Sequence, residues 1–304
     1  MRVLLTGARG FFGQHLEGAL RAAGHEVLGP DRRELELSDR VAVQAWFRRN
    51  QPEACVHAAA VGGGIGWMKE HPETAFLGNL LATTHVMEAC TNHAIPIVAI
   101  SSACVYPRVC TQPMREDEIW LGEPEPTNGP YGQAKRMMLV QAAAAAAERG
   151  LRCAVLVPTN LYGPRDHFEP DRSHIVAALV RRFVEAARDK LPEVVCWGTG
   201  TATRDLLYAP DAAEAAVRAL ELLPGPVPIN LGTGVEHSTA EIAGAIAQAA
   251  GYTGVIRWDR SRPDGMPRKV LDSSRAQQML GWQARHSLEA GLKETVAWFR
   301  SSCL

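Results

Sequence analysis

The N-terminal segment constrains the fold more than any other part of the chain. Residues 3–5 form a short apolar run, and Gly7, Gly10 and Gly13 follow it at a spacing of three. The segment 14–23 then carries its apolar residues on one helical face. A buried strand, a glycine turn and a helix start in this order expose free backbone N–H groups that bind a diphosphate. We therefore predict a dinucleotide site here rather than an ordinary glycine-rich turn.

The next segment indicates which dinucleotide. A second apolar run covers 26–28, and Asp31 follows at the distance expected for an acid that contacts the ribose. Such a carboxylate accepts hydrogen bonds from a 2′-hydroxyl and repels a 2′-phosphate, which favours NAD. Arg32 and Arg33 directly follow Asp31, Arg9 lies in the glycine turn nearby, and a guanidinium binds a 2′-phosphate well. Both NAD and NADP therefore stay open.

Short apolar runs alternate with helical patterns through the first half of the chain. The predicted strands are 3–5, 26–28, 54–57, 97–100 and 153–157, and the predicted helices are 14–23, 39–49, 73–92, 132–149 and 175–187. This alternation predicts an α/β fold with a Rossmann-type, doubly wound parallel sheet. Ligands bind beyond the carboxyl ends of such strands. The residues at those ends are Gly7, Ala58, Ser101 and Pro158.

The pattern loosens in the second half, where glycines, prolines and charges separate helices such as 211–223 and 239–250. We expect two lobes. The dinucleotide-binding domain comprises 1–165 plus roughly 205–232, and a smaller α/β substrate lobe comprises 166–204 and 233–304.

Composition excludes several classes of function. The net charge is −1, which gives no electrostatic case for binding nucleic acid or a membrane surface. No apolar run is long enough to span a membrane, and the predicted strand at the start of the sequence leads us to expect no signal peptide. The seven cysteines form no Cys-x-x-Cys pair, so we expect reduced thiols in a cytoplasmic protein and no metal site.

A tyrosine and a lysine lie four residues apart just after a helix-start signal. Tyr131 and Lys135 share a helix face at this spacing, because four residues make just over one turn. A cation held near a phenol lowers its pKa, and such a tyrosine transfers protons to and from alcohols and ketones. The spacing alone is weak evidence, and it gains weight from the dinucleotide motif.

Together these residues resemble the extended short-chain dehydrogenase/reductases, which act on nucleotide sugars. Longer segments resemble the GDP-L-fucose synthases within that family, which are 3,5-epimerase-4-reductases of GDP-4-keto-6-deoxymannose. The resemblance covers nearly the whole chain and is carried by 112–114, 125–128, 158–164, 173–174, 197–200, 263–269 and Arg204.

The resemblance implies catalytic roles. Ser102 and Tyr131 would hold the 4-keto oxygen of the sugar, and Lys135 would support Tyr131 and the nicotinamide ribose. Two donors on an oxygen that gains charge stabilise the transition state more than the ground state. Cys104 and His174 match the acid/base pair for epimerisation, since hydrogens next to a ketone are acidic. A buried apolar cysteine and a solvated or core histidine are the alternatives for these two residues.

The resemblance also implies binding residues. The cofactor residues would be Gly7, Arg9, Gly10, Phe11, Phe12, Gly13, Asp31, Arg32, Ala58, Ala59, Ser101, Tyr131, Lys135, Pro158, Asn160, Leu161 and His174. The substrate residues would be Ser102, Asn160, Arg182, Trp197, Arg204 and Lys269. A diphosphate calls for cations and a guanine for a flat partner. A solvated charge is the alternative for Arg182.

The chain departs from the family pattern at two points. The family serine pair is followed directly by cysteine, whereas here Ala103 intervenes, and counting back from Tyr131 makes Ser102 rather than Ser101 the catalytic match. Asp31 stands where NADPH-dependent relatives carry a neutral or basic residue.

We therefore expect a GDP-sugar epimerase/reductase that forms a GDP-deoxysugar. The alternative is a GDP-hexose or GDP-heptose 4-epimerase with tightly bound NAD and no net redox change. A non-enzymatic dinucleotide sensor of the same fold is a third possibility. Homodimers are common in this superfamily, so we expect one here.

Overall fold

The computed structural model describes residues 1–170, 173–262 and 264–304, apart from the side chain of Ile65. Pro263 of the 263–269 motif lies outside the described residues. The strands are β1 (Arg2–Thr6), β2 (Glu26–Leu28), β3 (Ala54–His57), β4 (Ile97–Ile100), β5 (Cys153–Pro158), β6 (Asn160–Tyr162), β7 (Glu193–Trp197), β8 (Thr203–Arg204), β9 (Leu206–Tyr208), β10 (Gly225–Leu231), β11 (His237–Ser238), β12 (Val255–Asp259) and β13 (Arg268–Lys269).

The helices largely follow the predicted ranges. They are α1 (Phe11–Ala22), α2 (Arg40–Asn50), α3 (Ile65–Glu70), α4 (Pro72–Asn92), α5 (Gly129–Arg149), α6 (Ile175–Arg188), α7 (Ala209–Leu222), α8 (Thr239–Ala249), α9 (Ser274–Leu280) and α10 (Leu288–Cys303). Short 3₁₀ helices cover Ala103–Val105, Glu116–Glu118 and Pro126–Asn128.

A parallel sheet forms the centre of the molecule. Its strand order is β2-β1-β3-β4-β5-β10, and each neighbouring pair is parallel. The observed β2, β3 and β4 match the predicted ranges, β1 extends its range by one residue at each end, and β5 extends its range by one residue at the C-terminal end. The predicted Rossmann-type doubly wound sheet is therefore confirmed.

Helices cover both faces of this sheet. Val3 and Leu5 of β1 pack into one buried cluster with residues of α1 and α7, whereas Leu4 packs into a second cluster with residues of α2, α4 and α5. Successive side chains of a strand point to opposite faces, so a fully apolar strand supplies both layers. The chain order reverses at β1, which has β2 on one side and β3 on the other. A crevice for ligands lies at such a point.

A third buried cluster lies outside the two layers. It is built mainly from α6, α8 and α10, with strand residues from β7 and β9. Between these elements the chain returns to the central sheet, where β10 pairs with β5. The proposed division into two lobes stays a prediction, and this separate cluster supports it.

All seven cysteines are free, in agreement with the expectation of reduced thiols. Of the helices within the described ranges, none combines the length and apolar character that crossing a bilayer requires.

Candidate active site

The glycine turn after β1 is packed too tightly for side chains. Gly7 has a φ of +75°, and a Cβ added there would lie 2.7 Å from the amide nitrogen of Ala59. A Cβ on Gly13 would lie 1.9 Å from the carbonyl oxygen of Gly7. The amide of Gly10 donates to that same carbonyl at 2.9 Å. The turn therefore brings bare backbone to the carboxyl end of β1.

Free donors follow directly. Helix α1 begins at Phe11, and its first backbone bond runs from Gln14 to the carbonyl of Gly10 at 3.1 Å. The amides of Phe11, Phe12 and Gly13 precede that bond and are free to bind an anion at the positive end of the helix. These residues fit the diphosphate of a dinucleotide.

A buried histidine that the sequence analysis did not identify lies beneath this turn. His57 ends β3, and its ring bonds to the hydroxyls of Thr6 at 2.8 Å and Thr83 at 3.2 Å. Burial, with a smaller contribution from the nearby Lys135, lowers the pKa of His57 to about 3. The Thr6 hydroxyl also accepts from the amide of Ala59 at 3.2 Å. A neutral imidazole therefore fixes the loop that contains Ala58 and Ala59 against the glycine turn.

Asp31 is exposed, and its own backbone holds it. Its Oδ1 accepts from the amides of Arg33 at 2.8 Å and Glu34 at 3.1 Å. These bonds lower the pKa of Asp31, and the positive charges of Arg33 and Arg9 contribute less. The carboxylate therefore lies in a fixed position near the guanidinium groups of Arg33 and Arg9.

Arg32 is placed differently. It forms an ion pair with Glu36, four residues further along the chain, at 2.7 Å, and its side chain is mostly exposed. Of the arginines in this region, Arg33 contributes the largest charge effect on the pKa of Asp31. The prediction that Arg32 binds the cofactor is untested, and its ion pair with Glu36 does not favour it.

The serine–cysteine segment alternates between buried and open residues. Ser101 and Ala103 are buried, whereas Ser102 and Cys104 are partly exposed. The Ser101 hydroxyl donates to the backbone carbonyl of Lys135 at 3.4 Å. Ser102 caps the following 3₁₀ helix, because its Oγ accepts from the amide of Cys104 at 3.2 Å. The alternation supports Ser102, rather than Ser101, as the residue that faces the cleft.

Tyr131 lies in the first turn of α5, which begins at Gly129 rather than at the predicted residue 132. The ammonium of Lys135 lies 5.7 Å from the centre of the Tyr131 ring and donates to the carbonyl of Ile100 at 2.9 Å. A Cβ on Gly132 would lie 2.4 Å from the carbonyl oxygen of Cys104. This glycine lets the start of α5 rest directly on the Cys104 backbone, so four of the predicted catalytic residues meet: Ser102, Cys104, Tyr131 and Lys135. His174 lies at the start of α6.

The protonation states differ from the sequence-based expectation. Burial raises the pKa of Tyr131 well above its usual range, Cys104 adds to the rise, and the nearby Ser102 hydroxyl opposes it. The sequence predicts that Lys135 lowers the pKa of Tyr131. This prediction is wrong, because desolvation of the phenol dominates and raises the pKa. Burial also lowers the pKa of Lys135 to about 8, against an opposite effect of Cys104. Tyr131 is therefore a protonated acid at neutral pH.

His174 caps the N-terminal end of α6 without a side-chain bond to that helix. His174 is exposed to solvent, yet enough of the protein lies around its ring to desolvate it. The resulting desolvation lowers its pKa, and the charges of Lys269 and His167 lower it further. A neutral imidazole suits a residue that must accept a proton.

Exposed aromatic and cationic side chains lie together on the second half of the chain. Trp197, at the end of β7, is 61% exposed. The guanidinium of Arg182 lies 6.0 Å from its ring centre and that of Arg262 lies 5.2 Å away. Arg262 was not predicted from the sequence, because it lies in a charged loop with no distinctive spacing. A flat ring with two cations suits a nucleotide.

Arg204 is bound to the protein itself. Its guanidinium donates to the carbonyls of Thr203 and Met266, both at 2.7 Å, and to that of Asp264 at 3.4 Å. Arg204, which is predicted to bind the substrate, thus also holds the 264–266 loop in place.

The end of β5 supplies the remaining predicted residues. Pro158 ends that strand, and β6 follows with Asn160 half-buried. Leu161 packs against the buried cluster of α1 and α7, which makes its side chain structural.

Comparisons with known proteins agree with this geometry. The model of the NAD dependent epimerase/dehydratase family matches residues 3–232. The chain is 38% identical to GDP-L-fucose synthase of Escherichia coli K12, over 98% of this chain and 96% of that one.

Solved structures agree as well. A GDP-6-OMe-4-keto-L-xylo-heptose reductase of Campylobacter jejuni superposes with a TM-score of 0.91 at 23% identity, covering 99% and 97% of the two chains. The UDP-glucose 4-epimerase of Thermotoga maritima superposes with a TM-score of 0.89 at 25% identity over 100% of each. The resemblance found in the sequence is thereby confirmed, as is a nicotinamide dinucleotide as cofactor. The chain belongs to the NAD dependent epimerase/dehydratase family.

Proposed function

We propose that this protein is a GDP-sugar epimerase/reductase that acts at carbon 4, and at carbons 3 and 5, of a GDP-4-keto-6-deoxyhexose. The observation that carries the proposal is the meeting of Ser102, Cys104, Tyr131 and Lys135 where β4 ends and α5 begins. The relative from Escherichia coli, a GDP-L-fucose synthase, supports the same activity.

The residues divide the chemistry between them. When bound, the nicotinamide supplies a hydride to carbon 4. Tyr131, protonated at neutral pH, donates its proton to the carbon-4 oxygen, and the Ser102 hydroxyl stabilises the charge on that oxygen. For epimerisation, one of Cys104 and His174 takes the proton from a carbon next to the ketone, and the electron pair moves onto the same oxygen. The other returns a proton to the opposite face.

The nucleotide end of the substrate has its own candidates. Trp197 presents an exposed aromatic ring, and the guanidinium groups of Arg262 and Arg182 lie near that ring. We propose that these residues and Lys269 bind the GDP moiety, and that Asn160 faces the sugar.

One specific observation favours the alternative function. Asp31 follows β2 and is fixed by two backbone amides, and a carboxylate at this place favours NAD, the cofactor that such a 4-epimerase retains. A GDP-hexose or GDP-heptose 4-epimerase with tightly bound NAD would use Ser102, Tyr131 and Lys135 alike. Such an enzyme has no need of Cys104 and His174, because it removes no proton from carbons 3 or 5.

One experiment separates the two functions. With GDP-4-keto-6-deoxymannose and NADPH or NADH, the reductase is expected to consume the reduced cofactor stoichiometrically, measured as loss of its absorbance. The 4-epimerase is expected to release NAD on denaturation, identified by mass spectrometry, and to interconvert GDP-mannose-type sugars without net redox change. Protein that releases no dinucleotide and oxidises neither reduced cofactor would refute both.

We also propose that the protein is a cytoplasmic homodimer. Leu77 and Leu81 lie on one face of α4 and are 41% and 37% exposed, and Val140 of the adjacent α5 is 48% exposed. Pairing of these helices between two copies would bury this apolar surface.

The dimer proposal predicts a mass of twice 33.0 kDa in light scattering. Leu81→Lys is expected to shift the protein toward the monomer, because a charge would be buried in the interface. Leu191→Lys, at an exposed leucine after α6, is the matched control. A monomeric wild type would contradict the proposal.

A further inference from the structure

Asn128 directs its side-chain amide at the cysteine of the site. It ends the 3₁₀ helix Pro126–Asn128, one residue before α5 begins. Its Nδ2 donates to the Sγ of Cys104 at 3.1 Å. Its Oδ1 is buried and, within the part of the chain that the structure describes, has no hydrogen-bond partner. In the sequence, Asn128 belongs to the segment 125–128 that resembles the family, and no role is predicted for its side chain.

The usual structural role of such an asparagine is not realised here. An asparagine at the N-cap position normally accepts a bond from an amide of the first helical turn. Asn128 occupies the N-cap position of α5 and makes no side-chain capping bond. The bond that its side chain does make goes to a sulfur atom 24 residues away in sequence. Its orientation is therefore not explained by the stability of the helix.

A donor at this position matters for the charge of the sulfur. A cysteine that removes a proton from carbon acts as the thiolate, which accepts hydrogen bonds and donates none. The backbone amide of Cys104 is directed at the Ser102 hydroxyl, and the Lys135 ammonium donates to the Ile100 carbonyl. Among the described residues, Asn128 is the side chain that hydrogen-bonds to Sγ.

We propose that Asn128 is a positioning residue for the reaction: its amide N–H orients the Cys104 sulfur and stabilises it as the thiolate. The proposal rests on the proposed function, in which Cys104 is one of the two groups that move protons at carbons 3 and 5. Asn128 itself exchanges no proton with the sugar.

The test measures the sulfur directly. Wild type, Asn128→Asp and Asn128→Ala are alkylated with iodoacetamide across neutral to alkaline pH, and modification of Cys104 is followed by peptide mass spectrometry. We expect the pH of half-maximal reactivity to rise by about one unit in Asn128→Asp, which replaces the donor with a like charge, and by less in Asn128→Ala. The variants are compared by this pH midpoint rather than by the alkylation rate, because a smaller side chain at position 128 also changes access to the sulfur.

Two controls accompany this test. Exposed Cys303 reports on the reagent in every sample, and Asn92→Asp introduces the same substitution at the end of α4. Asn92→Asp is expected to leave the pH midpoint of Cys104 alkylation unchanged. If Asn128→Asp does not fold, Asn128→Ala decides. A Cys104 midpoint that is the same in the folded variants as in wild type would overturn the proposal.

A second measurement separates this proposal from the proposed function. Wild type with GDP-4-keto-6-deoxymannose in D₂O is expected to incorporate deuterium into the sugar, and both Asn128→Asp and Cys104→Ala are expected to lose at least about tenfold of that rate. If the wild type incorporates none, the proposed epimerisation fails. The alkylation midpoints still decide whether Asn128 acts on the sulfur.

Discussion

Tyr131→Phe is expected to lower kcat for reduction of the GDP-4-keto sugar by about 10²–10⁴-fold, the range that a positioned general acid contributes. The ring remains, so its packing beside Lys135 and Gly62 is preserved. The loss should appear in kcat more than in KM, because the proton moves in the transition state. Steady-state kinetics with the reduced cofactor measures both.

The matched control is Tyr252→Phe, which removes a hydroxyl from a tyrosine that packs against Phe183 in the third buried cluster. It is expected to keep the wild-type kcat. A Tyr131→Phe enzyme within tenfold of the wild-type kcat would show that another group supplies the proton.

The wild-type rate is further expected to fall as the pH rises through about 8, because Lys135 is protonated below that pH and neutral above it.

The central sheet could be predicted from the sequence because its strands are local, fully apolar segments. Residues 54–57 and 97–100, for example, are buried throughout, and no partner had to be known to recognise them. The short strands of the second half could not be found this way. β8 and β13 are two residues long and pair across more than sixty residues of sequence, so their existence depends on tertiary contacts.

The composition of the site was predictable, but its electrostatics were not. A four-residue spacing is enough to place Tyr131 and Lys135 on one face. The sign of the pKa shift of Tyr131 depends instead on desolvation by residues that are distant in sequence. His57 and Arg262 could not be predicted for a different reason, since neither lies in a recognisable motif. Asn128 could have been identified as a site residue from the sequence, because it lies three residues before Tyr131 in a segment that resembles the family.

Gly13→Ala is expected to reduce dinucleotide binding by at least tenfold and to destabilise the fold by about 1–3 kcal/mol, the usual cost of overpacking. The added Cβ would lie 1.9 Å from the Gly7 carbonyl oxygen and 2.7 Å from its carbon. Both are backbone atoms of the turn, so relief of the clash must move either the turn or the start of α1. Those are the groups that would hold the diphosphate.

The matched control is Gly18→Ala in the same helix, where an added Cβ meets nothing within 4 Å. That change is expected to stabilise the protein by about 0.5–1 kcal/mol, because alanine favours the helix over glycine. Thermal unfolding with and without NAD or NADP measures both quantities, since a ligand that binds the folded state raises the Tm. If Gly13→Ala keeps the wild-type Tm and the full ligand-induced rise, the glycine turn does not hold the cofactor as proposed, because a turn that tolerates this displacement cannot be the tight diphosphate cradle.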